Sequence, residues 1–177
     1  ALPAITKAVE SGRKVLFVGT KKQVKEAVRE AAESVNQPYV VERWVGGMLT
    51  NSATINQQIK KLKTLEKRME SGELAKRYSK LEVQRYAEEI ESLNTKYGGI
   101  KDLMGRPGIL FVTDAIADAN AIREAKTLNI PVVAIVDTNV NPEGIDYVIP
   151  ANDDAIKGVK LLLDYAIEAI KEAKADK

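Results

Sequence analysis

Apolar residues in this chain follow two alternating rhythms. Val15-Leu16-Phe17-Val18-Gly19 is a continuous apolar run, the pattern of a parallel strand buried on both faces. Pro38–Glu42, Ile109–Thr113, Pro131–Val136 and Tyr147–Ile149 predict four further strands. Between them the period lengthens to that of amphipathic helices, over Leu2–Ser11 (closed by Gly12), Thr20 to about Val35, about Asp118 to Leu128, and Ala155 to about Ala173. Thr20 with Gln23 has the spacing of a capping box, and Asn152-Asp153-Asp154 should cap the last helix. Asn141-Pro142-Glu143-Gly144 reads as a loop, and the charged tail Lys171–Lys177 is expected to fray. Strands alternating with helices predict an α/β fold: one parallel sheet, helices on both faces, right-handed crossovers.

Residues 50–97 interrupt that alternation. Ile55, Ile59, Leu62, Leu65 and Met69 draw one stripe down a helix that Ser71-Gly72 ends. Ser79-Lys80-Leu81-Glu82 has the form of a capping box, and Val83, Tyr86, Ile90, Leu93 and Tyr97 make a second stripe ended by Gly98-Gly99. Two helices of about 25 Å, joined by a short link, predict an antiparallel hairpin whose narrow stripes pack mainly on each other. The expected division is a core of residues 1–49 and 98–177 with a projecting hairpin over 50–97.

Composition narrows the chemistry. The 177 residues contain no cysteine and no histidine, which removes disulfides, thiol chemistry, the usual zinc ligands and the usual general base. No run of roughly 18 apolar residues and no signal-like start is present, so no membrane span is expected. The net charge of +2 hides an asymmetry. Residues 1–106 carry 20 Lys and Arg against 13 Asp and Glu, whereas residues 107–177 carry 7 against 12. A basic half suits a polyanion; chance clustering is the plainer alternative.

In open α/β sheets ligands favour the carboxyl ends of strands. Lys21 and Lys22 there oppose the dipole of the helix they begin, and Lys25 follows; either a phosphate sits beside them or they are solvated. No P-loop and no Gly-x-Gly-x-x-Gly fingerprint is present. The loop Arg43-Trp44-Val45-Gly46-Gly47-Met48-Leu49-Thr50-Asn51 holds the only tryptophan beside an arginine, with two glycines that allow close backbone approach. The residues favour RNA contact for Arg43 and gap-filling between hairpin and sheet for Trp44, with stacking on RNA the alternative. Lys60, Lys61, Lys63, Lys67 and Arg68 crowd the first hairpin helix, with Lys76, Arg77 and Lys80 at its tip; Lys60, Lys61 and Lys63 have no acidic neighbour before Glu66. Asp114 and Asp137 follow strands and suggest magnesium, but no third ligand, base or phosphate loop accompanies them, and turn-capping is the simpler role.

Five blocks in register carry a resemblance: Val15–Lys22, Glu42–Asn51, Gly98–Asp102, Asn129–Asn139 and Asp146–Ala155. They resemble the bacterial small-subunit ribosomal protein S2 family, from about residue 2 to 170. The resemblance implies a flavodoxin-like five-stranded parallel sheet of order 2-1-3-4-5 with an inserted antiparallel coiled-coil hairpin. It implies a structural, non-enzymatic constituent of the small ribosomal subunit in the cytoplasm (an organellar ribosome is also compatible). Such a protein has no cofactor and no metal, touches no membrane and is not a free homo-oligomer. Its partners would be small-subunit (16S) rRNA and other small-subunit proteins, including the large OB-repeat protein that captures mRNA. The expected rRNA-binding residues are Lys21, Lys22, Lys25, Arg43, Trp44, Gly46, Gly47, Thr50, Asn51, Lys60, Lys61, Lys63 and Arg106. Departures from the family pattern are Val45 for leucine, Ser52-Ala53 for Phe-Lys, and Ala115-Ile116-Ala117 in a commonly charged stretch. The rival readings are a nucleotide- or magnesium-dependent enzyme built on Asp114 and Asp137, and a protein-only adaptor that would expose apolar residues such as Leu74 and Leu81 on the hairpin.

Overall fold

The computed structural model describes residues 1–138 and 142–175. Asn139, the end of one matched block, Asn141 of the predicted loop, and Asp176-Lys177 of the tail lie outside the described residues.

Five strands, β1 (Val15–Val18), β2 (Tyr39–Val40), β3 (Ile109–Val112), β4 (Val132–Val136) and β5 (Tyr147–Pro150), form one sheet of order β2-β1-β3-β4-β5. All neighbours are parallel, as the alternating pattern predicts; Phe17 stands opposite Tyr39 on one side and Phe111 on the other. Every residue of β1, β3 and β4 is buried because helices cover both faces. Successive side chains point to opposite faces. Val15, Phe17, Ile109, Phe111, Val133 and Ile135 therefore pack under α1 (Leu2–Glu10), α2 (Lys25–Ser34) and α7 (Ile156–Ala175). Leu16, Val18, Leu110, Val112, Val132 and Ala134 face α6 (Ala119–Thr127) and the inserted helices.

The insertion comprises α3 (Ser52–Glu70), a short α4 (Glu73–Arg77), α5 (Lys80–Tyr97) and a 3₁₀ turn at Gly98–Ile100. The predicted capping box opens α5: Ser79 accepts from the Glu82 backbone N–H, and the Glu82 carboxylate accepts from the Ser79 N–H. Two expectations need correction. The stripe Ile55, Ile59, Leu62 and Leu65 is buried, and it joins the apolar cluster of the sheet face as well as Leu93 and Tyr97 of α5. The β2–β3 crossover must cover that face, and α3 does so. Leu74, expected on an outer face, is fully buried, because α4 turns it inward; Leu81 is 61% exposed.

Two helix boundaries also differ from the pattern. The second helix begins at Lys25 without a side-chain cap, since Thr20 is bonded elsewhere. Lys171–Ala175 is helical rather than frayed, with Ile170 and Ala173 buried on α7. Gly99 has no room for a side chain: a Cβ there would lie 2.2 Å from the Tyr39 carbonyl oxygen, so this glycine lets the insertion close against β2.

Candidate nucleic-acid interface

The loops after β1, β2, β3 and β5 meet at the carboxyl edge of the sheet, and a set of carboxylates organises them. The Asp118 carboxylate accepts the Thr20 backbone N–H at 3.2 Å and its hydroxyl at 2.8 Å. Burial raises the Asp118 pKa to about 6, against the Thr20 bonds that hold it down, with the nearby charge of Asp114 adding to the rise. Lys21 reaches across the edge. Its ammonium lies 2.6 Å from Asp154 Oδ1, 3.1 Å from Asp153 Oδ1 and 3.3 Å from Asp114 Oδ2. The hydrogen bond to Asp154 contributes most to raising the lysine pKa, and Asp153 and Asp114 act in the same direction against desolvation. Lys21 thus cross-links three strand ends within an acidic surround that repels phosphate. Lys22 beside it is exposed, with no ion partner among the described residues. Lys25 is bound to Glu42 at 3.0 and 3.1 Å, and Arg29 shares that carboxylate.

The glycine loop is held by one side chain that sequence reasoning missed. Glu124 Oε1 accepts from Trp44 Nε1 at 3.0 Å and from the Gly47 N–H at 2.7 Å. Its Oε2 accepts from the Leu49 N–H at 2.9 Å, the Thr50 N–H at 3.1 Å and the Thr50 hydroxyl at 3.2 Å. Burial pushes this carboxyl up, yet the Trp44 bond and the backbone donors outweigh it and leave the pKa below the usual carboxylate range. Trp44 is 8% exposed and belongs to the core cluster, the gap-filling role; its ring has no free face for a base. Gly47 takes φ +85°, a conformation that favours glycine, and the Asn51 N–H closes the turn on its carbonyl at 2.7 Å. Arg43, Gly46, Thr50 and Asn51 are exposed on the loop's outer side. No sequence signal marks Glu124, which lies 74–80 residues from its partners.

On the insertion, Lys61 pairs with Glu89 and Lys63 with Asp102 at 3.0 Å, while Lys60 and Lys67 are exposed and unpaired among the described residues. Arg106 lies outside the edge cluster. It lines a groove of about 250 Å³ with Ser52 and Asn56 at the start of α3. Asp114 Oδ1 accepts the N–H groups of Ile116 and Ala117, a turn-capping arrangement, and Asp137 Oδ1 accepts from the N–H and hydroxyl of the adjacent Thr138. Among the described residues, no group of three His, Cys, Asp or Glu could hold a metal ion, and no helix is long and apolar enough to cross a membrane.

Comparison with known proteins meets this arrangement at residues 1–173, which match the family described as Ribosomal protein S2. The chain belongs to the ribosomal protein S2 family. Relatives named small ribosomal subunit protein uS2 include that of Vibrio cholerae, 50% identical over 174 residues, which span 98% of this chain and 72% of the relative. The uS2 protein of Tolumonas auensis is 49% identical over the same shares. That of Bacteroides thetaiotaomicron is 48% identical over 181 residues, covering 100% of this chain and 65% of its own. That single match spans the glycine loop, the edge loops and the insertion.

Proposed function

We propose that this chain, a structural and non-enzymatic protein of the small ribosomal subunit, grips rRNA with the cations its own carboxylates leave free. The observation that carries this reading is the sorting of the candidate basic residues. Lys21, Lys25, Lys61 and Lys63 are held by acids, whereas Lys22, Arg43, Lys60, Lys67 and Arg106 are exposed and unpaired among the described residues. Unpaired lysine and arginine suit phosphate and sugar contacts, which position a folded RNA rather than read a linear sequence. Gly46 and Asn51 add backbone and amide contacts where the loop is exposed, Thr50, whose N–H and hydroxyl Glu124 holds, can still accept through its hydroxyl oxygen, and Trp44 braces that loop from beneath. Residues 1–49 and 98–177 form the RNA-binding body in this reading. The paired α3 and α5 form an antiparallel coiled-coil arm, and the assembled protein supports docking of the OB-repeat protein that captures mRNA.

The test is co-sedimentation of the full chain with small subunits depleted of their own S2 protein, at increasing salt. Lys22→Ala with Arg43→Ala is expected to release the chain at lower salt while its far-ultraviolet circular dichroism is unchanged. Retention equal to that of the wild type at every salt concentration would sink the proposal.

A further inference from the structure

The loop from Arg43 to Asn51 turns three backbone N–H groups, an indole N–H and a hydroxyl toward a single point, and Glu124 of α6 occupies it. Converging backbone N–H groups of this kind form an anion-binding nest. Here the anion belongs to the chain itself. An RNA phosphate therefore finds these donors already engaged and must meet the loop from its other side, where Arg43, Gly46 and Asn51 are exposed. The fixed points are closely spaced: Trp44 anchors one flank of Arg43, Gly47 passes through φ +85°, and Thr50 anchors the entry to α3.

We propose that Glu124 is the positioning residue of the RNA-facing loop, setting the place of Arg43 and Asn51 without touching RNA itself. This rests on the reading of the loop as an rRNA contact. Glu124 closes the nest permanently, because five donors hold the carboxylate in its charged form. Removing it leaves Gly47, Leu49 and Thr50 N–H groups without their acceptor, and the loop loses its single conformation. Gln at this position retains one accepting oxygen, and its amide can donate to the Thr50 hydroxyl oxygen, so it preserves part of the clamp.

The experiment uses the full chain as wild type, Glu124→Ala, Glu124→Gln, Arg43→Ala and the Glu124→Ala/Arg43→Ala double variant. Each is bound to small subunits depleted of their own S2 protein. Trp44, the only tryptophan, reports the loop through its emission. Glu124→Ala should shift that emission to the red and weaken binding roughly tenfold, the equivalent of one good contact. The salt slope of binding should fall by about one for Arg43→Ala and by a similar amount for Glu124→Ala, because a displaced Arg43 no longer neutralises its phosphate. With Arg43 already gone, adding Glu124→Ala should cost little, because the misplaced side chain is the same one. Glu124→Gln should recover part of the affinity and of the emission; it carries the comparison if Glu124→Ala fails to fold. Wild-type binding by Glu124→Ala or, where that variant does not fold, by Glu124→Gln, together with weak binding by Arg43→Ala, would overturn the positioning role and leave the interface standing. A loss fully additive with Arg43→Ala would also overturn it. Wild-type binding by Arg43→Ala would overturn the interface instead.

Discussion

Lys21 and Lys22 are neighbours in sequence with different surroundings, and the difference sets two separate expectations. Lys21→Met removes the cation shared by Asp114, Asp153 and Asp154. Three carboxylates then repel across the loops of β1, β3 and β5, and stability should fall by roughly 1–3 kcal/mol, read from the urea midpoint. Lys22→Glu, at an exposed site, should leave that midpoint unchanged and weaken association with small subunits. Equal destabilisation by both would contradict the cage around Lys21. Asp118 supplies a pH signature. Its folded pKa of about 6 lies above the ordinary value of 3.8, so the folded chain retains a proton that the unfolded chain has released. Its contribution to stability is complete below about pH 4 and is lost as pH rises through about 6. Asp118→Asn can still accept the Thr20 N–H, so the wild-type minus variant melting temperature should decline across that window; a flat difference would show that Asp118 does not titrate there. Little of this was legible beforehand. Thr20 and Gln23 have capping-box spacing, yet Asp118, 98 residues away, takes both Thr20 donors. Lys21 and Asp153 are 132 residues apart. Local pattern cannot reveal partners that only the folded sheet edge brings together.

At the scale of elements, what depends on local chemistry was readable and what depends on packing was not. The parallel sheet follows from alternation and crossover handedness, whereas its strand order was implied only by the family resemblance; Ser79 with Glu82 makes its box within four residues. The helix α4 escaped because its five residues carry one apolar anchor, Leu74, too few for a period to show. The stripe of α3 was read correctly as apolar but assigned mainly to its partner helix, whereas it also roofs a sheet face. The buried state of Leu74 makes the tip of the insertion a packed element rather than a free link. Leu74→Ala should therefore cost about 2–5 kcal/mol if the cavity does not collapse. Leu81→Ala, seven residues on and mostly exposed, should change stability little. Hydrogen exchange within α4 and the first turn of α5 is the measurement that separates them. Protection lost in the Leu74 variant alone supports the anchor, and equal protection in both variants contradicts it.

Among the candidate contacts of the whole molecule, the cations divide into those satisfied by internal acids and those left free. The free ones among the candidate contacts, Lys22, Arg43, Lys60, Lys67 and Arg106, lie in residues 1–106, the basic half, although Lys126, Lys157, Lys160 and Lys171 of the other half are also exposed and without an ion pair among the described residues. The C-terminal half contributes Asp114, Asp118, Glu124, Asp153 and Asp154, which hold the edge loops from inside. The acidic half thereby shapes the surface that the basic half presents, and formal net charge is a poor guide to nucleic-acid affinity in such a chain. Counterion release gives this a measurable form, since each cation that neutralises a phosphate adds about one to the slope of log affinity against log salt. Lys22→Ala, Arg43→Ala and Arg106→Ala should each lower that slope by about one for binding to depleted small subunits. Lys61→Ala and Lys63→Ala should lower it less, because Glu89 and Asp102 already neutralise those ammonium groups and would be left as uncompensated negative charge instead. That residual negative charge should weaken binding at low salt without removing a phosphate contact. Intercept and slope thus separate the two classes: free cations change the slope, paired cations chiefly the intercept. Equal slopes lost at paired and unpaired positions would mean that RNA opens the internal pairs on binding, and the sorting seen in the free chain would not define its interface.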